Sequence, residues 1–346
     1  MTDDFTFVTG ATGFVGSHVV RLLRARGDRV RVLVRFSSGS ANIEGLDCET
    51  VTGDLRDAAS LLRCVQGCRC VYHVAADYRL WARNPQEIYE SNVAGTRNLL
   101  SACCEAGVGK VIYTSTVGTI GMSPDGVPTD EDTPVSLDDM IGHYKRSKFM
   151  AEQVAMEFAH SGLPVVIVNP TTPVGAGDIK PTPTGKIILD FLRGRLPAYV
   201  DTGLNIVAVE DVAEGHILAE MHGEVGERYI LGGENLSLQE ILEILARICG
   251  SRLPSFPMPW IAALGVAYIN QFFMGTILRR EPSIPLEGVM MARHKMYVSS
   301  DKARRKLGYS PRPAEEALRA AVEYFRRGRK AAIASEGISK VRAGAA

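Results

Sequence analysis

A chain of 346 residues, 46% of them apolar, is long enough to bury one large core or two moderate ones. Lysine plus arginine equals aspartate plus glutamate at 39 each, so no net field draws the protein to nucleic acid or to an anionic membrane. Seven cysteines, an odd number, and no basic-then-apolar leader at the start read as reduced thiols in a cytoplasmic protein. Cys64, Cys68 and Cys70 have no second ligand pair at zinc spacing, so no metal is expected.

The first apolar run, Phe5, Phe7 and Val8, stops at glycines and restarts with helical spacing at Phe14, Val15, Val19, Leu22 and Leu23. The pattern predicts strand, tight turn, helix. Gly10 permits the turn, Gly13 lets the backbone approach a pyrophosphate, and Gly16 lets the helix lie close on the strand. The helix N-terminus offers its free N–H groups to phosphate. A second strand over 29–35 ends in Arg35, followed by Phe36-Ser37-Ser38. An acid at this strand end suits the ribose of NAD, whereas arginine suits the extra phosphate of NADP.

Residues 49–55 form a short third strand whose Asp54 could reach the adenine edge. A fourth, 69–76, ends in the small residues Ala75 and Ala76, where a cofactor could pass close to the backbone. A helix opens near Asn84-Pro85 and carries Asn92, and residues 110–116 make a fifth strand ending in Thr114-Ser115-Thr116. A helix from Tyr144 to His160 and a sixth strand over 163–169 follow. Strands alternating with helices at this rhythm predict an α/β fold with a doubly wound parallel sheet.

From Pro170 prolines and glycines mark a loop leaving the sheet. The expected division is a cofactor-binding Rossmann domain over 1–176, rejoined by 202–224, and a smaller mixed substrate-binding region over 177–201 and 225–330, with a strand at 229–231. Residues 331–346 lack periodicity and read as a mobile tail. Residues 259–276 are apolar on nearly every side but interrupted by Asn270-Gln271 and short of the ~20 residues of a span. A wall over an apolar substrate, a helix lying on a membrane surface, and plain core all remain open for it.

Tyr144 and Lys148 are four apart, hence on one helix face. A free tyrosine has a pKa near ~10, and an ammonium beside it favours the phenolate, so the pair makes a tunable proton donor at the carboxyl edge of the sheet.

These motifs carry a resemblance. Thr9-Gly10-Ala11-Thr12-Gly13-Phe14-Val15-Gly16, Gly53-Asp54-Leu55, His73-Val74-Ala75-Ala76, Asn92-Val93-x-Gly95-Thr96, Tyr113-Thr114-Ser115-Thr116, Tyr144-x-x-x-Lys148 and Asn169-Pro170-x-x-Pro173-x-Gly175 resemble the extended short-chain dehydrogenases/reductases, the NAD-dependent epimerase/dehydratase family. Ala75-Ala76-Asp77-Tyr78-Arg79-Leu80-Trp81 and the late Ser299-x-Asp301-Lys302-Ala303 are similar to the dihydroflavonol-4-reductase-like, hopanoid-associated sugar epimerases.

The resemblance implies that Tyr144 exchanges the proton on the reacting oxygen. Lys148 would lower its pKa and hold the nicotinamide ribose, and Thr116, favoured over Ser115, would bond the same oxygen. It implies cofactor contacts at Gly10, Thr12, Gly13, Phe14, Val15, Arg35, Ser38, Asp54, Leu55, Ala75, Ala76, Asn92, Tyr144 and Lys148. Pro170, Thr171 and Val174 would line the nicotinamide, and Asn92 would support the catalytic helix through water. A homodimer through the helices around Asn92 to Cys104 and Tyr144 to His160 is also implied.

The expected activity is an NADP(H)-dependent oxidoreductase acting on a carbonyl or hydroxyl compound, with a link to hopanoid biosynthesis. The alternative is a sugar or nucleotide-sugar epimerase that retains its cofactor.

Overall fold

The computed structural model describes residues 4–343 except 37–38, 124 and 254–255, with side chains to residue 328. Ser38 therefore lies outside the described residues.

The chain begins with β1 (Phe5–Thr9), α1 (Phe14–Ala25), β2 (Arg29–Val34), β3 (Glu49–Thr52), α2 (Ala58–Val65) and β4 (Cys68–His73). A short α3 (Gln86–Tyr89) passes through a π-helical turn (Glu90–Ala94) into α4 (Gly95–Glu105), followed by β5 (Lys110–Thr114), α5 (Gly142–His160) and β6 (Val165–Pro170). Next come β7 (Thr172–Val174), α6 (Pro183–Leu192), β8 (Ala198–Val200), β9 (Gly203–Ala208), α7 (Val209–His222), β10 (Arg228–Leu231), β11 (Glu234–Ser237) and α8 (Leu238–Cys249). The last part holds β12 (Phe256–Met258), α9 (Trp260–Asn270) continued by a π-helical stretch (Gln271–Ile277), α10 (Leu286–Met291), β13 (Lys295–Met296), α11 (Asp301–Leu307) and α12 (Ala314–Ala343).

Local chemistry sets several boundaries. Asp57 caps α2 by accepting from the Ser60 N–H, and Thr182 caps α6 ahead of Pro183. Ser237 and Glu240 form a capping box at α8, which Gly250 closes at φ 64°.

Seven strands form one parallel sheet in the order β10-β6-β5-β4-β1-β2-β3. Both faces are covered, so its inner strands read as continuous apolar runs such as Val165 to Val168 instead of alternating. One face packs Phe7, Val71, Val111 and Ile167 with Leu61, Leu99, Leu100 and Val154 of α2, α4 and α5. The other packs Val8, Val32, Ile112 and Val168 with Val19 and Leu23 of α1, Val212 of α7 and Leu307 of α11. The strand order reverses between β1 and β4, which opens the crevice where such sheets take their ligands.

A smaller sheet, β11-β9-β13 with β7 beside β9, carries its own core with α6, α8 and α12. Its composition differs from the expected division. Tyr229 to Leu231, expected in the smaller region, is the seventh strand of the large sheet, and β9, expected to return to that sheet, pairs with β11, β13 and β7. Strand patterning alone does not name a partner, since both strands are short and apolar.

Residues 331–343, expected as a tail, continue α12. They are rich in alanine, and a helix already nucleated at Ala314 propagates through them without an apolar stripe. Trp260–Ile277 is helical and lies mostly outside the core: only Ala263 and Ala267 of α9 are buried.

Candidate active site

The glycine turn joins β1 to α1 at the strand-order reversal. Gly10 has φ 70°, and a Cβ there would stand 2.6 Å from the Ala75 nitrogen at the end of β4, so only glycine lets these two strand ends meet. A Cβ on Gly16 would collide with the Gly10 carbonyl, which is what holds α1 tight against the turn. Gly13 donates to Gly10 at 2.9 Å and is exposed, and α1 starts with no side-chain cap, leaving first-turn N–H groups for an anion. A dinucleotide's phosphates fit this cradle by shape and by charge.

A second segment closes over the turn. Asn42 donates from one amide to the carbonyls of Thr12 and Gly177, both at 3.2 Å, and His18 bonds the Ala176 carbonyl at 2.9 Å. The loop after β7 is thus fastened across the cradle. At the ribose end, Arg35 is exposed just past β2. Asp54 is clasped by the Arg56 guanidinium at 2.7 and 2.9 Å, which holds its carboxyl at about 2 with help from Arg35. Leu55 is buried under the start of α4, its carbonyl taking Asn98 at 3.0 Å. Ala75 and Ala76 are half-buried beside the turn, and the Phe14 ring stands edge-on to His18.

The catalytic candidates gather where α5 lies against β6 and the 3₁₀ turn that follows β5. Thr116 caps that turn, accepting from the Gly118 N–H at 3.1 Å, and its side chain stands beside the Tyr144 phenol. Burial pushes the Tyr144 phenol up and the Thr116 side chain pulls it down, so it is a protonated donor at neutral pH. Ser115 turns inward, 3.4 Å from Thr119. His143 is exposed at the helix start and bonds Tyr89 at 3.1 Å.

Lys148 departs from the expected picture. Its ammonium donates to the Tyr113 hydroxyl at 2.9 Å and the Thr114 carbonyl at 2.8 Å, and burial lowers it to about 7. The expected lowering of Tyr144 by Lys148 is not what the arrangement gives, because the ammonium is fastened to β5 and desolvation dominates the phenol.

Behind Lys148 lies a hydrogen-bond chain that the sequence reading did not include. Thr96 donates to the Asn92 carbonyl at 2.6 Å, so its oxygen must accept from His73 Nε2 at 3.0 Å. That fixes the Nε2–H tautomer, leaves Nδ1 to accept from Thr9 at 2.8 Å, and lets Thr9 receive the Ala75 N–H at 3.2 Å. Burial keeps His73 neutral, with a pKa of about 3, and its ring packs against that of Tyr113 with centroids 5.6 Å apart. The chain from the glycine turn and the Lys148 anchor therefore meet at the His73–Tyr113 ring contact.

Asn92, expected at the cofactor and acting through water, is spent elsewhere. Its amide donates to the Asp77 carbonyl and to Ser147, both at 2.9 Å, and accepts the Asp77 N–H at 2.7 Å. It supports α5 by direct contact, from a π-helical turn that points it inward. Thr171, expected at the nicotinamide, directs both N–H and hydroxyl to the Leu231 carbonyl. Val174 is buried in the smaller sheet's core, and Pro170 ends β6 at the carboxyl edge.

A deeper network braces the same helix. Glu152, one turn past Lys148, accepts from Thr119 at 2.8 Å, Asn169 at 2.9 Å and Arg228 at 3.1 Å, and Asn169 also holds the Thr116 carbonyl at 3.1 Å. Its i,i+4 spacing from Lys148 was the available signal.

Lys145 is buried, its ammonium hydrogen-bonded among the described residues only to the Met296 sulfur at 3.9 Å, and burial lowers it to about 8 from an ordinary 10.5. The native state therefore binds fewer protons than the unfolded chain as pH falls through 10.5, and the cost is complete below about 8. Lys145→Met should stabilise the protein by roughly 3 kcal/mol at pH 7, the gain fading toward pH 10.5. Thermal melts across that range test it, and a gain independent of pH would contradict it.

A parallel seven-stranded sheet, a glycine cradle at its reversal point and the Thr116, Tyr144 and Lys148 cluster at its carboxyl edge define an oxidoreductase of the extended short-chain dehydrogenase/reductase type. The profile of the NAD dependent epimerase/dehydratase family matches residues 6–232, and the chain belongs to that family. It is 46% identical to a Synechocystis protein bearing the name dihydroflavonol 4-reductase over 329 residues, 94% of this chain and 95% of that one. It is 35% identical to sterol demethylase protein B of Methylococcus capsulatus, covering 93% and 98%. Among solved structures, that of gox2253 superposes with a TM-score of 0.84 at 48% identity, covering 94% and 98%.

Proposed function

We propose that this enzyme is a reductase that takes NADPH from solution and reduces an apolar ketone or aldehyde, releasing oxidised cofactor each turnover. Arg35 carries the cofactor choice. The ribose end of the cradle presents an exposed guanidinium, while Asp54, the nearby carboxylate, is occupied by Arg56. The apolar substrate is supported by the outward-facing apolar helix after Trp260 and by two relatives whose names refer to a dihydroflavonol and a sterol.

When bound, the nicotinamide supplies the hydride. The chain's own residues do the rest: Thr116 and Tyr144 would receive the carbonyl oxygen, Tyr144 would give it a proton, and Lys148, held by Tyr113 and Thr114, would bind the nicotinamide ribose.

A charge-assisted contact to the 2′-phosphate is worth ~1.5–3 kcal/mol, so NADPH should bind about tenfold or more tighter than NADH, and Arg35→Ala should erase the difference. Fluorescence titration of both nucleotides tests this, and equal affinities in the unaltered protein would sink it. Interconversion of a nucleotide-sugar without NADPH consumption would instead establish the epimerase reading.

A further inference from the structure

The helix from Trp260 to Ile277 is built the wrong way round for a protein surface in water. Its small residues Ala263 and Ala267 are buried, while Ile261, Tyr268, Ile269, Phe272, Phe273 and Ile277 stand more than half exposed, Ile261 at 77%. Soluble helices place the large apolar side chains inward, and a contiguous outward stripe of this kind marks a surface that meets something apolar. The run is long and apolar enough to cross a bilayer by length and composition alone.

The way it is tied down argues against crossing. Just before the helix, β12 pairs with β8 of the folded body. Its first residue, Trp260, donates from the indole to the Val289 carbonyl of α10 at 2.8 Å. Asn270, in the middle, bonds Ser283 at 3.0 Å and the Ile284 N–H at 3.1 Å on the returning chain. The chain reverses at Arg279, which holds φ 51° in the left-handed region, and the Arg280 N–H closes the end on Met274 at 2.8 Å. The chain thus runs back alongside the helix to the side from which it left, and a single spanning pass would have to break these bonds.

Charge names the surface. Arg279 and Arg280 are exposed at the end of the stripe, Arg252 is exposed before it, and among the described residues no carboxylate pairs with any of the three. Between residues 252 and 294 four arginines stand against two glutamates, a local excess within a chain of zero net charge. An apolar stripe with aromatic side chains and a basic rim is the pattern of a helix lying in the headgroup region of an anionic leaflet.

We infer that this helix docks the enzyme onto an anionic lipid surface, lying in the interface without crossing it. The docking face is continuous with the catalytic mouth. A Cβ at Gly275 would stand 3.3 Å from the Trp81 indole nitrogen, and one at Gly288 3.7 Å from Leu80. Glu287 of α10 accepts the N–H of His143, the residue before Tyr144, at 3.2 Å. An apolar compound leaving the lipid would therefore meet the loop beside the cradle without passing through bulk water. The docking itself does not depend on the proposed reduction.

Flotation of the full chain with vesicles tests it, using phosphatidylcholine alone and phosphatidylcholine with about 30% phosphatidylglycerol. The expected result is flotation with the anionic vesicles, weakened by salt. Phe272→Ser/Phe273→Ser should reduce partition about tenfold or more, and Arg279→Glu/Arg280→Glu should remove the preference for anionic lipid. These positions are exposed, so unchanged melting temperatures would show that both variants remain folded. Protein that stays in solution with both vesicle types overturns the inference. So does a dimer seen by sedimentation that the phenylalanine variant splits, which assigns the stripe to a second copy, or resistance to carbonate extraction, which assigns it to a span.

Discussion

Tyr144→Phe is expected to lower turnover by about 10²–10⁴-fold while leaving nucleotide affinity nearly unchanged. The phenol is the protonated group at the mouth, beside Thr116, and the substitution removes its hydroxyl without removing the ring. Thr116 keeps the Gly118 N–H, so the fold around it should hold. Lys148→Met should behave differently, damaging both turnover and nucleotide binding, because it strips donors from the Tyr113 hydroxyl and the Thr114 carbonyl as well. Steady-state rates together with nucleotide titration separate the two. A phenylalanine variant that kept most of its rate would put the proton on another acid. His143 would be the first to examine, although its ring is turned to Tyr89.

Glu152→Ala should cost roughly 3–5 kcal/mol of stability, enough to move a melting temperature by on the order of ten degrees. The carboxylate is 1% exposed and serves three donors from three elements: Thr119 after β5, Asn169 on β6 and Arg228 on β10. Removing it leaves the Arg228 guanidinium without its carboxylate and frees the Asn169 amide that steadies the Thr116 carbonyl. Pairing the change with Arg228→Met should recover part of the loss, since the uncompensated charge is then gone. Denaturant melts of the single and double variants measure this, and a single-variant loss below about 1 kcal/mol would show that the network contributes little.

The glycine turn between β1 and α1 and the placement of Tyr144 and Lys148 on one helix were legible in the sequence because their geometry is local: a turn needs glycine at fixed offsets, and four residues make one helical turn. The large sheet followed from alternation of strand and helix. What the sequence did not yield was the choice of partner. Asn92 carries the same amide whether it meets a cofactor or the backbone of Asp77, and only the π-helical turn decides which. Thr171 was expected at the nicotinamide and faces Leu231, because β10 lies beside β6, a pairing between segments 60 residues apart. Lys148 was expected to tune Tyr144. Its side-chain partner, Tyr113, was visible in the motif without a role, because burial of an aromatic hides its hydroxyl until the tertiary contacts are known.

The exchange of strands between the two sheets has a consequence for how the molecule comes apart. The chain leaves the large sheet after β6, contributes β7 and β9 to the small one, returns with β10 and leaves again with β11. No cut between 170 and 234 separates a complete large sheet from a complete small one, since each borrows an edge from the other's sequence. The two cores are consequently expected to unfold as a single cooperative unit. A ligand that binds only the folded chain at the switch point therefore raises the global unfolding free energy of both cores together.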